Sequence, residues 1–295
     1  MLNDLRSAPS SEKLNTMNSE QIFNQIKLKQ TFLCIGLDTE MAKLPEHLRN
    51  EKSPLFEFNR QIIDTTHDLV IAYKPNVAFY ECLGTSGWQQ LELTINHIRD
   101  HYPEILIIAD AKRGDIGNTS KKYAETFFHH LRCDAVTVAP YMGSDSVLPF
   151  LVYPDKWAIL LALTSNHGAD DFQFLGTGRH ERLFETVLRK SALWGNSDNM
   201  MYVVGATRAS MLVKVREIIP DHFLLIPGVG AQSGDLADVA EYGLNNQCGL
   251  IVNSSRAILY ADSTERFAQV AREKALETQQ QMKDILSKRF RSSEV

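Results

Sequence analysis

This sequence predicts an α/β fold closed into a (β/α)8 barrel of the TIM type, on three observations. Eight short apolar runs punctuate the 295 residues, at a mean spacing of about 30, the length of one β/α unit. Stretches with helical apolar spacing lie between them. Polar residues gather where the runs end, while the bodies of the runs are apolar. In a barrel, the ends of the strands and the loops that follow them hold the chemistry. An open doubly wound sheet is the alternative fold, but no GxGxxG or GxxxxGKS/T follows the first run, which disfavours it.

Residues 1–17 are polar and read as a loose extension, and residues 18–295 as one barrel domain with an N-terminal helix. That helix starts at Ser19 and puts Ile22, Phe23 and Ile26 on one face. The predicted strands are Phe32 to Leu37, Leu69 to Tyr73, Ile105 to Ala109, Ala135 to Ala139 and Ala158 to Leu163. Met201 to Val204, Phe223 to Ile226 and Gly249 to Val252 complete the set. Pro54 suits a first helical position, with Leu55, Phe58, Ile62 and Ile63 as the apolar stripe behind it. A last helix is expected from Ser263, carrying Phe267, Val270, Ala271, Met282, Ile285 and Leu286.

Bulk properties narrow the function. A net charge of -5 argues against a nucleic-acid or membrane-surface binder, since there is no basic stripe to release counterions. No apolar run approaches the roughly 20 residues that span a bilayer. The first residues lack the apolar core of a signal peptide, so a cytoplasmic location is expected. Cys34, Cys82, Cys133 and Cys248 are scattered without a CxxC pair and read as reduced core residues. The histidines, His129 and His130 included, form no metal-ligand pattern, and no cofactor fingerprint is visible. No metal and no cofactor are therefore expected. The absence of a GxSxG elbow or a Cys/His arrangement argues against acyl transfer.

The densest chemistry follows the third run. Asp110, Lys112 and Asp115 fall within six residues at the end of a buried strand. If the strand continues, Asp110 and Lys112 point to the same face. A structural ion pair is the alternative, but buried pairs seldom stabilise, because desolvation offsets the attraction. An ammonium beside carboxylates suits proton transfer instead. Asp38 ends the first run, Lys74 the second and Ser165 the fifth. Asp38 also suits a helix cap, and Lys74 a rim lysine, although Pro75 constrains its direction. The seventh run gives Pro227, Gly228, Gly230 and Gln232, and the eighth Ser255 and Arg256. Barrels commonly bind phosphate on these last two loops. Glycine lets the backbone approach the anion, and a guanidinium fits phosphate oxygens. A tight turn and a helix cap are the plain readings of the same residues. The combination suggests a small phosphorylated substrate reaching from the loops to the charged motif.

The run DAKRGDIGNTS, with YKPN and FYE before it and TVAPYMGSDSVLPF, LTSN, PGVGAQ and NSSRAILY after it, resembles the orotidine 5'-phosphate decarboxylase family, in its longer bacterial-type form. The likeness extends from Phe32 to Tyr260. It implies a carboxy-lyase that turns orotidine 5'-phosphate into uridine 5'-phosphate and CO2, as a cofactor-free homodimer. It further implies a Lys-Asp-Lys-Asp set at Lys74, Asp110, Lys112 and Asp115, with Lys112 protonating C6 and Asp115 acting in the partner subunit's site. Ile116 and Thr119 would also touch the neighbouring ligand. Asp38 and Lys74 would hold ribose hydroxyls, and Ser165 would face the ring. Pro227, Gln232, Ser255 and Arg256 would surround the phosphate. Two positions depart from the pattern: Ser233 where glycine is frequent and His167 where proline is. Alternatives are a metal-dependent sugar-phosphate lyase or aldolase of the same superfamily, a Schiff-base aldolase, and a non-catalytic nucleotide-binding protein.

Overall fold

The structure, a computed structural model, describes residues 17–178, 181–229 and 234–291. Eight parallel strands close a barrel in sequence order. They are β1 (Leu33–Leu37), β2 (Ala72–Pro75), β3 (Leu106–Arg113), β4 (Ala135–Val138), β5 (Trp157–Leu163), β6 (Met200–Val204), β7 (Leu224–Pro227) and β8 (Leu250–Ser254). Closure is direct: Leu33 of β1 pairs with Val252 of β8. The strands are almost entirely buried, as expected of a parallel sheet covered on both faces.

The main outer helices are α1 (Ser19–Lys29), α2 (Pro54–Thr66), α3 (Ala78–Glu81), α4 (Gly84–His101), α5 (Gly117–Ala124) and α6 (Ser144–Leu151). They are followed by α7 (Leu183–Ser191), α8 (Leu212–Ile218), α9 (Leu236–Gly243), α10 (Arg256–Leu259) and α11 (Phe267–Arg291). Phe58 of α2 stacks on Phe267 of α11 with ring centroids 4.8 Å apart. Full burial of such side chains contributes about 1.5–3 kcal/mol each.

α1 crosses the end of the barrel where the strands begin. Asn18 accepts from Gln21 N at 2.9 Å, and Gln21 Oε1 accepts from Asn18 N at 2.8 Å, a reciprocal cap that fixes the helix start. Trp157, the first residue of β5, donates its indole N–H to the Met17 carbonyl at 2.7 Å. At the far end, Lys29 Nζ donates to the carbonyls of His67 and Val70 ahead of β2. Met17, grouped with the loose extension on sequence grounds, is thus buried and anchored. The rest of that extension lies outside the described residues.

Three sequence expectations need correction. β2 starts at Ala72 rather than Leu69, because residues 67–69 form a helical turn before sheet pairing begins. The last helix begins at Phe267, not Ser263; Asp262 Oδ1 accepts from Thr264 N at 2.7 Å and holds the intervening residues in a turn. Cys82 is exposed, while Cys34, Cys133 and Cys248 are buried and reduced as expected. β3 runs on past Ala109 to Arg113, but its register against β4 shifts over residues 110–112, so the meeting of Lys112 with Asp110 rests on the bond between them and not on regular strand alternation. No helix among the described residues is long and apolar enough to cross a membrane.

Candidate active site

The strand ends converge on one carboxylate. Asp110 is 9% exposed and Lys74 4%. Lys74 Nζ donates to Asp110 Oδ2 at 3.0 Å, and Lys112 Nζ to Asp110 Oδ1 at 2.5 Å. Each carboxylate oxygen therefore has its own ammonium. The lysines differ in setting: the Lys112 side chain is 50% exposed and that of Lys74 only 5%. Lys74 is held from below by register, since Gly36 of β1 pairs with it. Its Nζ lies 4.0 Å from Asp38 Oδ1, an atom buried without a hydrogen-bond partner among the described residues.

The electrostatics follow from this packing. Burial favours neutral Asp110, but the Lys74 and Lys112 ammoniums outweigh it and hold the carboxyl well below its usual range. Burial likewise opposes the charge on Lys74, yet Asp110 and Asp38 raise its pKa above the ordinary lysine value. Cys34 sits in the same field, and burial pushes its thiol up to about 12, so it stays neutral at physiological pH. Asp110 and Lys74 thus hold their charges against burial.

Asp38, Lys74, Asn76, Asp110, Gly228 and Arg256 line an open pocket of about 160 Å³, with Pro227 and Ser255 also on its wall. Gly228 has φ +94°, a left-handed backbone that favours glycine. A Cβ on Gly36 would fall 2.0 Å from Ser255 Oγ and 2.9 Å from Asn253 Oδ1, so the glycine leaves room for these two polar side chains beside the pocket. Arg256 opens the short α10, exposed, and makes no ion pair with a described residue. Ser165 lies just beyond β5, half-buried, with its backbone packed against Gly205, where a Cβ would meet Ser165 N at 2.6 Å.

Not every expected residue joins the cluster. Asp115 Oδ1 accepts from Ile116 N at 2.7 Å, and no bond ties Asp115 to Lys112 or Asp110 among the described residues. Ile116 and Thr119 are exposed beside it. Gln232 and Ser233 lie outside the described residues. His167 is on the surface, 3.9 Å from Asp170.

Sequence reasoning gave no site role to three residues, although Asn76 and Asn253 stand among the polar residues at the strand ends. Asn76 pairs with Asp110 across the β2 and β3 ends. Asn253, 7% exposed, donates to Ser255 Oγ at 3.1 Å. Thr137 of β4 donates to Asp110 Oδ1 at 3.0 Å. A threonine inside the buried run AVTV was the visible signal for the last. The histidine reading also needs correction: His97 and His101 stand four residues apart on α4, and His97 Nε2 is 2.6 Å from Asp64 Oδ1 on α2. That contact ties two outer helices, and no three His, Cys, Asp or Glu among the described residues are grouped to hold a metal ion.

Comparison with known proteins places this geometry. The Orotidine 5'-phosphate decarboxylase / HUMPS family matches residues 31–270. The chain belongs to this family. The orotidine 5'-phosphate decarboxylase of Parabacteroides distasonis is 60% identical over 270 residues, covering 92% of this chain and 96% of that protein. The corresponding protein of Flavobacterium johnsoniae is 55% identical, covering 93% of this chain and all of that one (100%). Among solved structures, the OMP decarboxylase of Leishmania donovani superposes with a TM-score of 0.74 at 34% identity, covering 89% of this chain and 99% of that one. Within the decarboxylase family frame, the strand-end cluster at Asp110 coincides with the motif that carried the resemblance.

Proposed function

We propose that this chain decarboxylates orotidine 5'-phosphate to uridine 5'-phosphate and CO2, the last step of pyrimidine nucleotide synthesis. In this reading it works without metal or organic cofactor, as a cytoplasmic homodimer. One observation carries the reading: Lys112 Nζ is 2.5 Å from Asp110 Oδ1, while the other carboxylate oxygen is taken by buried Lys74. The half-exposed ammonium is thereby held against Asp110, which lines the pocket, in an arrangement set before any ligand binds.

The bond between C6 and its carboxylate breaks, the electron pair stays on C6, and CO2 departs. Lys112 gives C6 one proton, and water later reprotonates the amine. Lys74, Asp110, Lys112 and Asp115 form the reacting set, with Asp110 near the departing carboxylate. Asp38 and Lys74 take the ribose hydroxyls; the buried, unbonded Asp38 Oδ1 fits an acceptor waiting for a hydroxyl. Ser165 faces the ring. Pro227, Gln232, Ser255 and Arg256 surround the phosphate, which takes no part in bond making and whose binding energy can drive loop closure.

Asp115 serves the partner's site. Its carboxylate makes no bond to its own cluster among the described residues, and its neighbour Ile116 is 52% exposed. Tyr141 and Met142, after β4, are also exposed, at 91% and 49%, as apolar side chains covered by a partner would be.

Loss of orotidylate absorbance, unaffected by EDTA, tests the activity; EDTA-sensitive turnover of a sugar phosphate instead would replace it. For the shared site, Asp115→Ala and Lys112→Ala proteins are each measured alone and then as mixed dimers. Mixing creates one site with both native groups, so activity should rise well above either parent. Confirmed mixed dimers with no recovery would place Asp115 outside the partner's site.

A further inference from the structure

Up to Ala109, β3 and β4 pair in simple register: Ile108 faces Ala135 and Ala109 faces Val136. The next pair is Arg113 with Val138. Residues 110, 111 and 112 of β3 therefore face the single residue Thr137. On its other side β3 stays in step, with Asn76 opposite Asp110 and Val77 N donating to the Asp110 carbonyl at 3.2 Å. The irregularity is confined to the β4 edge, where the reacting residues are. Lys112 lies in the left-handed region there, at φ +48°, a conformation lysine adopts only when its surroundings impose it.

Thr137 supplies that imposition. Its hydroxyl, on a residue 1% exposed, accepts from Lys112 N at 2.9 Å and donates to Asp110 Oδ1 at 3.0 Å. A bulge leaves backbone groups without ladder partners, and here a side-chain oxygen takes the orphan N–H. The ladder resumes with Ala139 N donating to the Arg113 carbonyl at 2.8 Å. One hydroxyl thus fixes both the backbone that launches the Lys112 side chain and the oxygen that receives its ammonium.

We infer that Thr137 is a positioning residue for the decarboxylation step, setting the Lys112 ammonium through this double hydrogen bond. The inference rests on the proposed role of Lys112. Valine matches threonine in shape but lacks the hydroxyl. It leaves the Lys112 N–H without its acceptor and takes one of two donors from Asp110 Oδ1, and it frees the backbone turn to drift. Displacement of a reacting group by about 1 Å costs on the order of a hundredfold in rate.

The experiment compares native protein, Thr137→Val, Thr137→Ser and Lys112→Ala by steady-state kinetics and thermal unfolding. Thr137→Val should lower kcat about 30- to 100-fold with KM within about twofold of native. Thr137→Ser, which keeps the hydroxyl, should recover kcat to within about fivefold of native. A loss due only to loosened packing would not discriminate between these variants in that way. If the valine protein does not fold, Thr137→Ala replaces it, with the same expectation. A hydroxyl-free variant with near-native kcat, a loss confined to KM, or a serine variant as slow as valine would overturn the inference. The native and Lys112→Ala proteins separate the two claims. An inactive native protein, or a fully active Lys112→Ala, defeats the functional reading. An active native protein with a harmless valine defeats only the role of Thr137.

Discussion

Two buried aspartates stand at opposite ends of neighbouring strands, each between two cations. Asp134 precedes β4 and is 1% exposed; Asp110 lies near the end of β3 and is 9% exposed. Asp134 pairs with Arg99 and, at 3.5 Å, with Lys156. There each of the three side chains also bonds backbone, and the Arg99 nitrogen left without a hydrogen bond is in ion-pair contact with Asp134 itself. Asp134 Oδ2 accepts from Ile107 N at 2.8 Å, Arg99 Nε donates to the Arg132 carbonyl at 2.9 Å, and Lys156 Nζ to the Cys133 carbonyl at 2.8 Å. At Asp110 one lysine is half-exposed, Asp38 Oδ1 has no bonded partner among the described residues, and a pocket opens beside them. The charge pattern is the same, but only the Asp110 end leaves bonding capacity facing a space a ligand can enter. A buried ion pair is weak evidence for either stability or function alone; the open valence separates the two.

Removing an ammonium at each end should expose that difference. Lys112→Ala is expected to lower kcat by about 10³- to 10⁴-fold, the upper range for a proton donor that also stabilises charge. Its thermal midpoint should move by no more than about 2 °C, because the side chain is half-exposed. Kinetics and calorimetry on one preparation decide it. A Lys112→Ala protein within about tenfold of native kcat would erase the contrast between the two ends.

Asp134→Ala should do the opposite. It strands Arg99 and Lys156 at a buried site, a loss of about 3–5 kcal/mol, readable as a lower midpoint in urea unfolding. The folded fraction should keep native kcat at a temperature well below the midpoint. Native stability, or a kcat loss without a stability loss, would mean that the Asp134 cluster is not the structural half of the pair.

How much of this contrast was legible in the sequence depends on the kind of interaction. The eight strands were readable because each is an apolar run between polar segments. Asp110 and Lys112 were readable because charges at the end of such a run conflict with burial. Thr137 showed only as a hydroxyl inside a buried run; its role comes from a register slip between β3 and β4 that no spacing within one strand encodes. Asp134 escaped because its partners Arg99 and Lys156 belong to different β/α units, and only the packing of neighbouring units brings them together. The helical turn ahead of β2 was hidden because its Leu69 is as apolar as the strand that follows. The histidine pair on α4 was visible at helical spacing, but its carboxylate Asp64 lies on α2, far away in sequence.

The end of the barrel where strands begin carries one more group, and it gives that end a pH dependence. His222 precedes β7, with both ring nitrogens buried and without partners among the described residues. Its ring meets Tyr202 edge-on at 5.4 Å. Burial, reinforced by the Arg216 cation, lowers its pKa from 6.5 to about 4. Arg216 is locked there, donating to the carbonyls of His222 at 2.6 Å, Gly243 at 2.7 Å and Gly249 at 2.8 Å. Between pH 6.5 and 4 the unfolded chain binds a proton at this position and the folded chain does not. Stability is therefore fully present above about pH 6.5 and declines as the pH falls toward 4. Allowing for partial exposure, the contribution is about 1–2 kcal/mol. His222→Phe keeps the contact with Tyr202 and removes the titration. The variant should lose less stability than native protein between pH 7.5 and 5, with kcat at neutral pH unchanged, as urea unfolding at both pH values and a single assay will show. Equal losses in the two proteins would move the acid sensitivity elsewhere. Asp110 cannot supply it in this window: its carboxyl is ionised in the folded state, and an unfolded aspartate takes up a proton only at about pH 4, so the two states bind no different number of protons there.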